Sequence, residues 1–240
     1  MILAAGRGVR MGELTAGRPK PLLPLGHSTL IDLLLRKLAA AGIQRAVINL
    51  HYLGQRIRDA LGDGSRFGLE IVYSQEPELL NTGGGIARAS TFFEDYPVLV
   101  LNSDVLCEID IHDFADFHRR NGCLATMAVK KSANFREYAL VSWSNGRLED
   151  FLPRGTTPLR GKFSTGIYTG YQLLEREALE MLQPRPESVI DALYRKLLRK
   201  EQPVAVYPVG GEWLDLGTRE KYAAVWKQVA GGEVDLTRFL

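Results

Sequence analysis

The run Tyr96-Pro97-Val98-Leu99-Val100-Leu101 is apolar at nearly every position and stops at Asn102-Ser103-Asp104. A half-exposed strand alternates apolar and polar residues. A continuous apolar strand must be covered on both faces, which is the condition at the centre of a parallel sheet flanked by helices. Other segments fit the same plan. Ser28 is a candidate cap for a helix whose Leu30, Ile31, Leu34, Leu35, Leu38 and Ala39 follow the helical period, and Gly42 ends it. Residues 46–50 and 69–73 read as buried strands, with a helix over 52–61 between them. A helix over 111–121 leads to a strand over 124–129. Strands alternating with helices predict parallel pairing through right-handed crossovers.

The chain then changes pattern. Residues 138–143 and 147–151 read as two strands around Ser144-Asn145-Gly146, an Asn-Gly hairpin turn. A loop is expected over 156–162, a Thr- and Tyr-rich strand over 163–171, an amphipathic helix over 189–199, a strand over 203–208 and a closing helix over 218–229. The predicted fold class is α/β: a Rossmann-like, mostly parallel sheet with helices on both sides and a small antiparallel insertion. One domain over 1–240 is expected, a length ordinary for a single α/β unit.

At the start, Leu3-Ala4-Ala5-Gly6-Arg7-Gly8-Val9-Arg10-Met11-Gly12 carries a short apolar strand into a loop of small residues, and Pro19-Lys20-Pro21-Leu22-Leu23-Pro24 follows. Gly6, Gly8 and Gly12 let the backbone turn sharply and bring its N–H groups close to a ligand. Arg10 and Lys20 are cations suited to phosphate oxygens. No Gly-Lys-Ser/Thr follows, so this is not a Walker loop. The G-x-G-x-x-x-G spacing also departs from the dinucleotide fingerprint. Asp104, just beyond a central strand, stands where open α/β sheets bind ligands, and suits a hard cation such as magnesium as well as it suits a simple cap.

Hydrophobic content of 45% with 24% charged residues describes an ordinary globular protein. A net charge of +2 with interspersed signs gives no case for a nucleic-acid partner. No apolar run approaches the roughly 20 residues of a membrane span, and no signal peptide is apparent. Cys107 and Cys123 lack metal-site spacing and read as reduced, buried thiols, consistent with the cytoplasm. His112 and His118 are spaced poorly for a metal pair on one helix face.

The glycine loop and the Pro-Lys-Pro-Leu-Leu-Pro run are followed in order by Thr82-Gly83-Gly84-Gly85, Asn102-Ser103-Asp104, Ser164-Thr165-Gly166-Ile167-Tyr168 and Trp213-Leu214-Asp215-Leu216-Gly217-Thr218. This series resembles the sugar-1-phosphate nucleotidyltransferases over nearly the whole chain. The Thr-Gly-Gly-Gly-Ile run is most similar to the N-acetylmuramate-1-phosphate uridylyltransferases.

The resemblance implies that an oxygen of a sugar-1-phosphate attacks the α-phosphorus of a nucleoside triphosphate and that pyrophosphate leaves. It implies a nucleotide part over 1–130 and a sugar-phosphate and closing part over 131–240. Arg10, Lys20 and Asp104 would carry the chemistry. Leu3, Ala4, Gly6, Gly8, Val9, Arg10, Lys20, Asn81, Thr82 and Gly83 would hold the nucleotide. Asn102, Glu137, Thr165 and Gly166 would face the sugar. Asp104 and Asp215 would hold Mg²⁺, although Asp215 alone reads equally as a helix cap.

The implied partners are the triphosphate and the sugar phosphate, with no nucleic acid and no membrane, in a monomer or small homo-oligomer making glycan precursors. No hexapeptide repeat follows, so an acyltransferase tail is not expected. One departure stands out. Many family members place Glu-Lys-Pro after the hairpin, with the lysine on the sugar phosphate. Here the run is Phe151-Leu152-Pro153-Arg154-Gly155, and Arg154 is the cation that could substitute.

The favoured substrates are UTP and N-acetylmuramate-1-phosphate or a close hexosamine-1-phosphate. GTP with mannose- or heptose-1-phosphate is the alternative. The nucleotidyltransferases that make CDP-methylerythritol or the molybdenum-cofactor dinucleotide share the Arg10-Met11-Gly12 run but lack Trp-Leu-Asp-Leu-Gly-Thr. A non-catalytic sugar-nucleotide sensor would be expected to lose the charged positions that are all present here.

Overall fold

The computed structural model describes residues 1–131, 135–157 and 161–240. Its strands are β1 (Ile2–Leu3), β2 (Pro24–Leu25), β3 (Ser28–Thr29), β4 (Arg45–Leu50), β5 (Glu70–Gln75), β6 (Val98–Asn102) and β7 (Val105–Cys107). They continue as β8 (Ala125–Lys130), β9 (Leu140–Ser144), β10 (Arg147–Leu152), β11 (Ser164–Leu174), β12 (Val204–Val209) and β13 (Trp213–Asp215). The helices are α1 (Leu30–Ala40), α2 (Gly54–Leu61), α3 (Asn81–Ala89), α4 (Ile111–Asn121), α5 (Arg176–Glu180), α6 (Arg195–Arg199) and α7 (Arg219–Ala230). A π-helical turn, Ile190–Tyr194, precedes α6, so the helix expected over 189–199 changes its winding partway.

Nine strands form one sheet in the order β5-β4-β1-β6-β11-β8-β12-β10-β9. The first four are parallel, as the alternating pattern predicts, and β8 and β12 are also parallel. The sheet as a whole is mixed. β11 runs antiparallel to both β6 and β8 and extends to β9, so the antiparallel strands are stitched into the main sheet. Two apolar layers cover the sheet. Leu99 and Leu101 belong to the layer that includes Leu34, Ile57, Phe114 and Tyr222, from α1, α2, α4 and α7. Val98 and Val100 belong to the other, with Ile86, Leu179 and Leu197 from α3, α5 and α6. This double covering is what the unbroken apolar run in β6 requires.

Local signals behave as their chemistry dictates. The α4 boundaries match the expected ones, with the Asp110 side chain capping His112 and Asp113 and Gly122 closing the helix at φ 56°. Asn145 and Gly146 take positive φ of 48° and 72° between β9 and β10, the turn an Asn-Gly pair favours. The cap of α1 is Thr29, in a reciprocal capping box with Asp32, rather than Ser28. Ser28 pairs in the short β2–β3 hairpin. Positions 158–160 of the expected loop over 156–162 lie outside the described residues. Both cysteines are free and buried, and burial pushes the Cys107 thiol up to about 12. No helix among the described residues is long and apolar enough to cross a membrane.

His118 is 1% exposed, with Nδ1 at 2.6 Å from Thr126 Oγ1 and Nε2 at 3.1 Å from Glu175 Oε1. Burial holds its pKa below the ordinary 6.5, against the upward pull of Glu175. The folded protein therefore keeps the imidazole neutral where the unfolded chain already binds a proton. Stability present above pH 6.5 is lost as pH falls from there through the lower folded value. We expect the urea midpoint to drop more between pH 7.5 and 5.5 in the wild type than in His118→Gln. Equal drops would show that another group carries the acid sensitivity.

Candidate active site

A cavity of about 370 Å³ opens at the C-terminal ends of β1, β4 and β6, beside the first turn of α3. This is the edge of an open α/β sheet where strand ends leave backbone groups free for ligands. Leu3, Ala4, Gly6, Gly8, Val9, Arg10, Lys20, Asn81, Thr82, Asn102 and Asp104 all line it. Gly8 turns the loop at φ 64°, and its carbonyl accepts both the Met11 N–H and the Thr15 hydroxyl. Met11 is fully buried and anchors the loop, leaving Arg10 on its exposed side.

Lys20 is 7% exposed, and its ammonium lies 2.7 Å from Asp104 Oδ2. The prolines on either side fix its approach. Asp104 lies two residues beyond the end of β6 and immediately precedes β7, which pairs antiparallel with β13. That ladder sets Asp215 opposite Val105, and the Leu216 N–H donates to the Asp104 carbonyl. Asp215 is therefore in a strand rather than simply ahead of a helix. Thr218 performs the capping of α7.

Asp215 Oδ1 accepts the Gly217 N–H at 2.7 Å. Its Oδ2 accepts from the Tyr138 hydroxyl at 2.8 Å and from Lys221 Nζ at 2.6 Å. Burial pushes the Asp215 pKa up, but these three donors outweigh it and hold the carboxyl below its ordinary value. Burial pulls Lys221 down, and Asp215 and Tyr138 more than reverse that. Burial chiefly keeps Tyr138 protonated. Glu137 reaches Lys221 at 3.8 Å, which attaches it to this cluster without lining the cavity.

Magnesium takes oxygen ligands and commonly needs just one or two carboxylates beside substrate phosphates. No group of three or more His, Cys, Asp or Glu able to hold a metal exists among the described residues. Of the two carboxylates expected to hold it, Asp104 lines the cavity and Asp215 does not. Asp104 Oδ1 has no hydrogen-bond partner among the described residues, while Asp215 carries a lysine on the oxygen it shares with Tyr138.

Besides Glu137 and Asp215, three expected contacts lie outside the cavity lining. Gly83 lies within α3, which begins at Asn81. Its N–H donates to the Glu187 carbonyl instead of facing the cavity. Gly166 is buried where β11 crosses β8, and a Cβ there would sit 2.7 Å from the Lys130 carbonyl. Thr165 pairs with Ser142 of β9 and does not line the cavity.

Sequence reasoning missed Asn49, Tyr138 and Lys221. Asn49 had a signal, a lone polar residue in the otherwise apolar end of β4. Its side chain accepts from Ala4 N–H at 2.7 Å and donates to buried Glu76 at 2.6 Å, and Glu76 also accepts the Leu80 N–H at 3.0 Å. This chain of bonds ties β1, β4 and the start of α3 beneath the cavity.

The Nucleotidyl transferase family model matches residues 1–231. The chain is 30% identical to a mannose-1-phosphate guanylyltransferase of Mycobacterium tuberculosis, over 99% of this chain and 64% of that protein. It is 52% identical to an N-acetylmuramate alpha-1-phosphate uridylyltransferase of Neisseria meningitidis, over 46% of this chain and 48% of that one. The crystal structure of HddC from Yersinia pseudotuberculosis superposes with a TM-score of 0.78 at 22% identity, covering 95% of this chain and 97% of that one. The chain spans about three fifths of the length of the curated guanylyltransferases it matches.

Gly85 tests the floor of the cavity. A Cβ there would stand 2.7 Å from both Asn49 Nδ2 and Glu76 Oε1. Replacing glycine by alanine inside a helix ordinarily gains about 1 kcal/mol. Leaving a buried polar partner unsatisfied costs about 1–3 kcal/mol. We expect the second effect to win, so that Gly85→Ala lowers the melting temperature by several degrees. An unchanged or higher value in a thermal scan would show that the network yields without cost.

Proposed function

We propose that this chain, which belongs to the nucleotidyl transferase family, joins a nucleoside triphosphate to a sugar-1-phosphate and releases pyrophosphate. The observation that carries the reading is the Lys20–Asp104 pair in the wall of a cavity that Arg10 also lines, two cations and a carboxylate around one space of about 370 Å³. The sugar-phosphate oxygen forms a bond to the α-phosphorus as the bond to the bridging oxygen of pyrophosphate breaks.

Positioning and charge neutralisation are what the protein supplies. The backbone of the Gly8 turn and the Arg10 guanidinium hold the triphosphate, and Arg10 faces the charge that collects on pyrophosphate. Lys20 stands between the α-phosphate and the entering phosphate, where two anions must meet. Mg²⁺ held by Asp104 and Asp215 would add charge neutralisation at the α-phosphate. No general base is needed, because a phosphate monoester with a second pKa of about 6 is already ionised near pH 7.

We favour UTP and N-acetylmuramate-1-phosphate or a close hexosamine-1-phosphate, on the strong local identity to the uridylyltransferase. A guanylyltransferase for mannose- or heptose-1-phosphate is the second reading, favoured by a relative that matches across nearly the whole chain. The same proposal includes reaction in the cytoplasm, a place in glycan-precursor synthesis, and a monomer or small homo-oligomer of one domain.

Two measurements test this reading. Lys20→Ala should reduce turnover about 10²–10³-fold. Its effect on folding should be far smaller, because Asp104 is 27% exposed and can rehydrate. Near-wild-type turnover in a folded variant would remove Lys20 from the chemistry. In calorimetric titrations of UTP, GTP, CTP and ATP with Mg²⁺, UTP should bind most tightly. GTP binding tenfold tighter than UTP, a difference of about 1.4 kcal/mol, would replace the uridylyl reading with the guanylyl one.

A further inference from the structure

We propose that Lys221 receives the phosphate of the incoming sugar-1-phosphate, in place of the hairpin lysine that the sequence lacks. The inference rests on the nucleotidyl-transfer reading above. Lys221 sits in the first turn of α7, whose Thr218 cap follows cavity-lining Gly217. Arg10 reaches the same spot, because a Cβ on Gly217 would lie 3.6 Å from Arg10 Nη2. Lys221 does not itself line the cavity, but its ammonium is bonded to Asp215, whose other oxygen accepts the N–H of cavity-lining Gly217.

Its donors support the assignment. An ammonium has three N–H groups. One goes to Asp215 Oδ2 and one to the Tyr138 hydroxyl, each at 2.6 Å. The third has no hydrogen-bond acceptor among the described residues, with Glu137 no nearer than 3.8 Å. The side chain remains 27% exposed, so that donor is open to a solvent-borne anion. The nitrogen also lies 3.9 Å from the centre of the Tyr138 ring, which fixes its position. A phosphate can take the third donor without displacing Asp215. The carboxylate then has a distinct use: it balances the lysine when no phosphate is bound.

The competing cations are placed less well. Lys130 spends its ammonium on the carbonyls of Gly210 and Gly211. Arg154 lies in the exposed turn that follows β10.

Lys221→Gln and Lys221→Arg in the full chain test the proposal. Gln keeps a donor for Asp215 and Tyr138 but removes the charge, and Arg keeps the charge. Pyrophosphate release is measured with mannose-1-phosphate, glucose-1-phosphate and N-acetylmuramate-1-phosphate, each with UTP and GTP. The same sugar phosphates are titrated calorimetrically into protein saturated with a non-hydrolysable triphosphate analogue.

We expect Lys221→Gln to raise KM and Kd for the sugar phosphate at least tenfold, with KM for the triphosphate within twofold of wild type. Lys221→Arg should recover most of that loss. Thermal melting within a few degrees of wild type certifies the fold. Sugar-phosphate KM and Kd within twofold of wild type in a folded Lys221→Gln protein would overturn the proposal, leaving Lys221 as the counter-ion of Asp215. A wild-type protein that releases pyrophosphate with none of these pairs would overturn the nucleotidyl-transfer reading itself, and this inference with it.

Discussion

Two carboxylate-bearing segments from opposite halves of the chain lie side by side because β7 and β13 form a ladder only three residues long. A carboxylate partly withdrawn from water needs compensation for its charge. Each carboxylate has its own lysine, Lys20 on Asp104 and Lys221 on Asp215. Exposed pairs such as Arg119–Asp116 carry little stability, typically well under about 1 kcal/mol. The two inner pairs differ from these in being partly withdrawn from water and in sharing further partners. Lys20 is locked by flanking prolines, and Lys221 by Tyr138, whose ring meets Trp213 at 5.3 Å. Trp213 in turn donates to the Thr169 carbonyl of β11. The charged cluster is therefore wired to the middle of the sheet.

Local chemistry was legible in the sequence. The apolar β6 run, the ends of α4, the Asn-Gly turn and the glycine loop each depend on residues close in sequence. They appear where their propensities predict. Asp104 was legible for the same reason, as a carboxylate at the end of a buried strand. What depends on partners far along the chain was not. Nothing near Lys221 distinguishes it from a solvated helix lysine. Its role depends on a tyrosine 83 residues earlier in the chain.

The Thr82-Gly83-Gly84-Gly85 run shows how tertiary packing reverses a local preference. Each glycine costs a helix about 1 kcal/mol relative to alanine, which argues for a turn. The run is helical all the same. A Cβ on Gly84 would come within 2.0 Å of the Arg185 carbonyl, and one on Gly83 within 3.0 Å of the Glu187 carbonyl. The glycines let α3 lie flush against the 185–188 segment, and hydrogen bonds from Gly83 and Gly84 to Glu187 hold it there. Small residues in this family-like motif thus serve close contact between backbones, while Asn81 and Thr82 form the cavity wall.

The position of β11 bears on how the chain reaches this state. Ser164–Leu174 fills the gap between β6 and β8, both of which precede it in the chain. Until residue 174 has been synthesised, each of those apolar strands presents an unpaired edge. Strand edges left open in this way are the templates on which nascent chains associate wrongly. Sequence-distant pairing of this kind is also slow to form, since loop closure must precede any gain from contact. The strands β5, β4, β1 and β6 can assemble their parallel unit early, but it is joined to β8 only when this later strand is inserted. Conditions that delay its arrival, such as a ribosomal pause before residue 164, lengthen the interval in which the half-made sheet needs a chaperone.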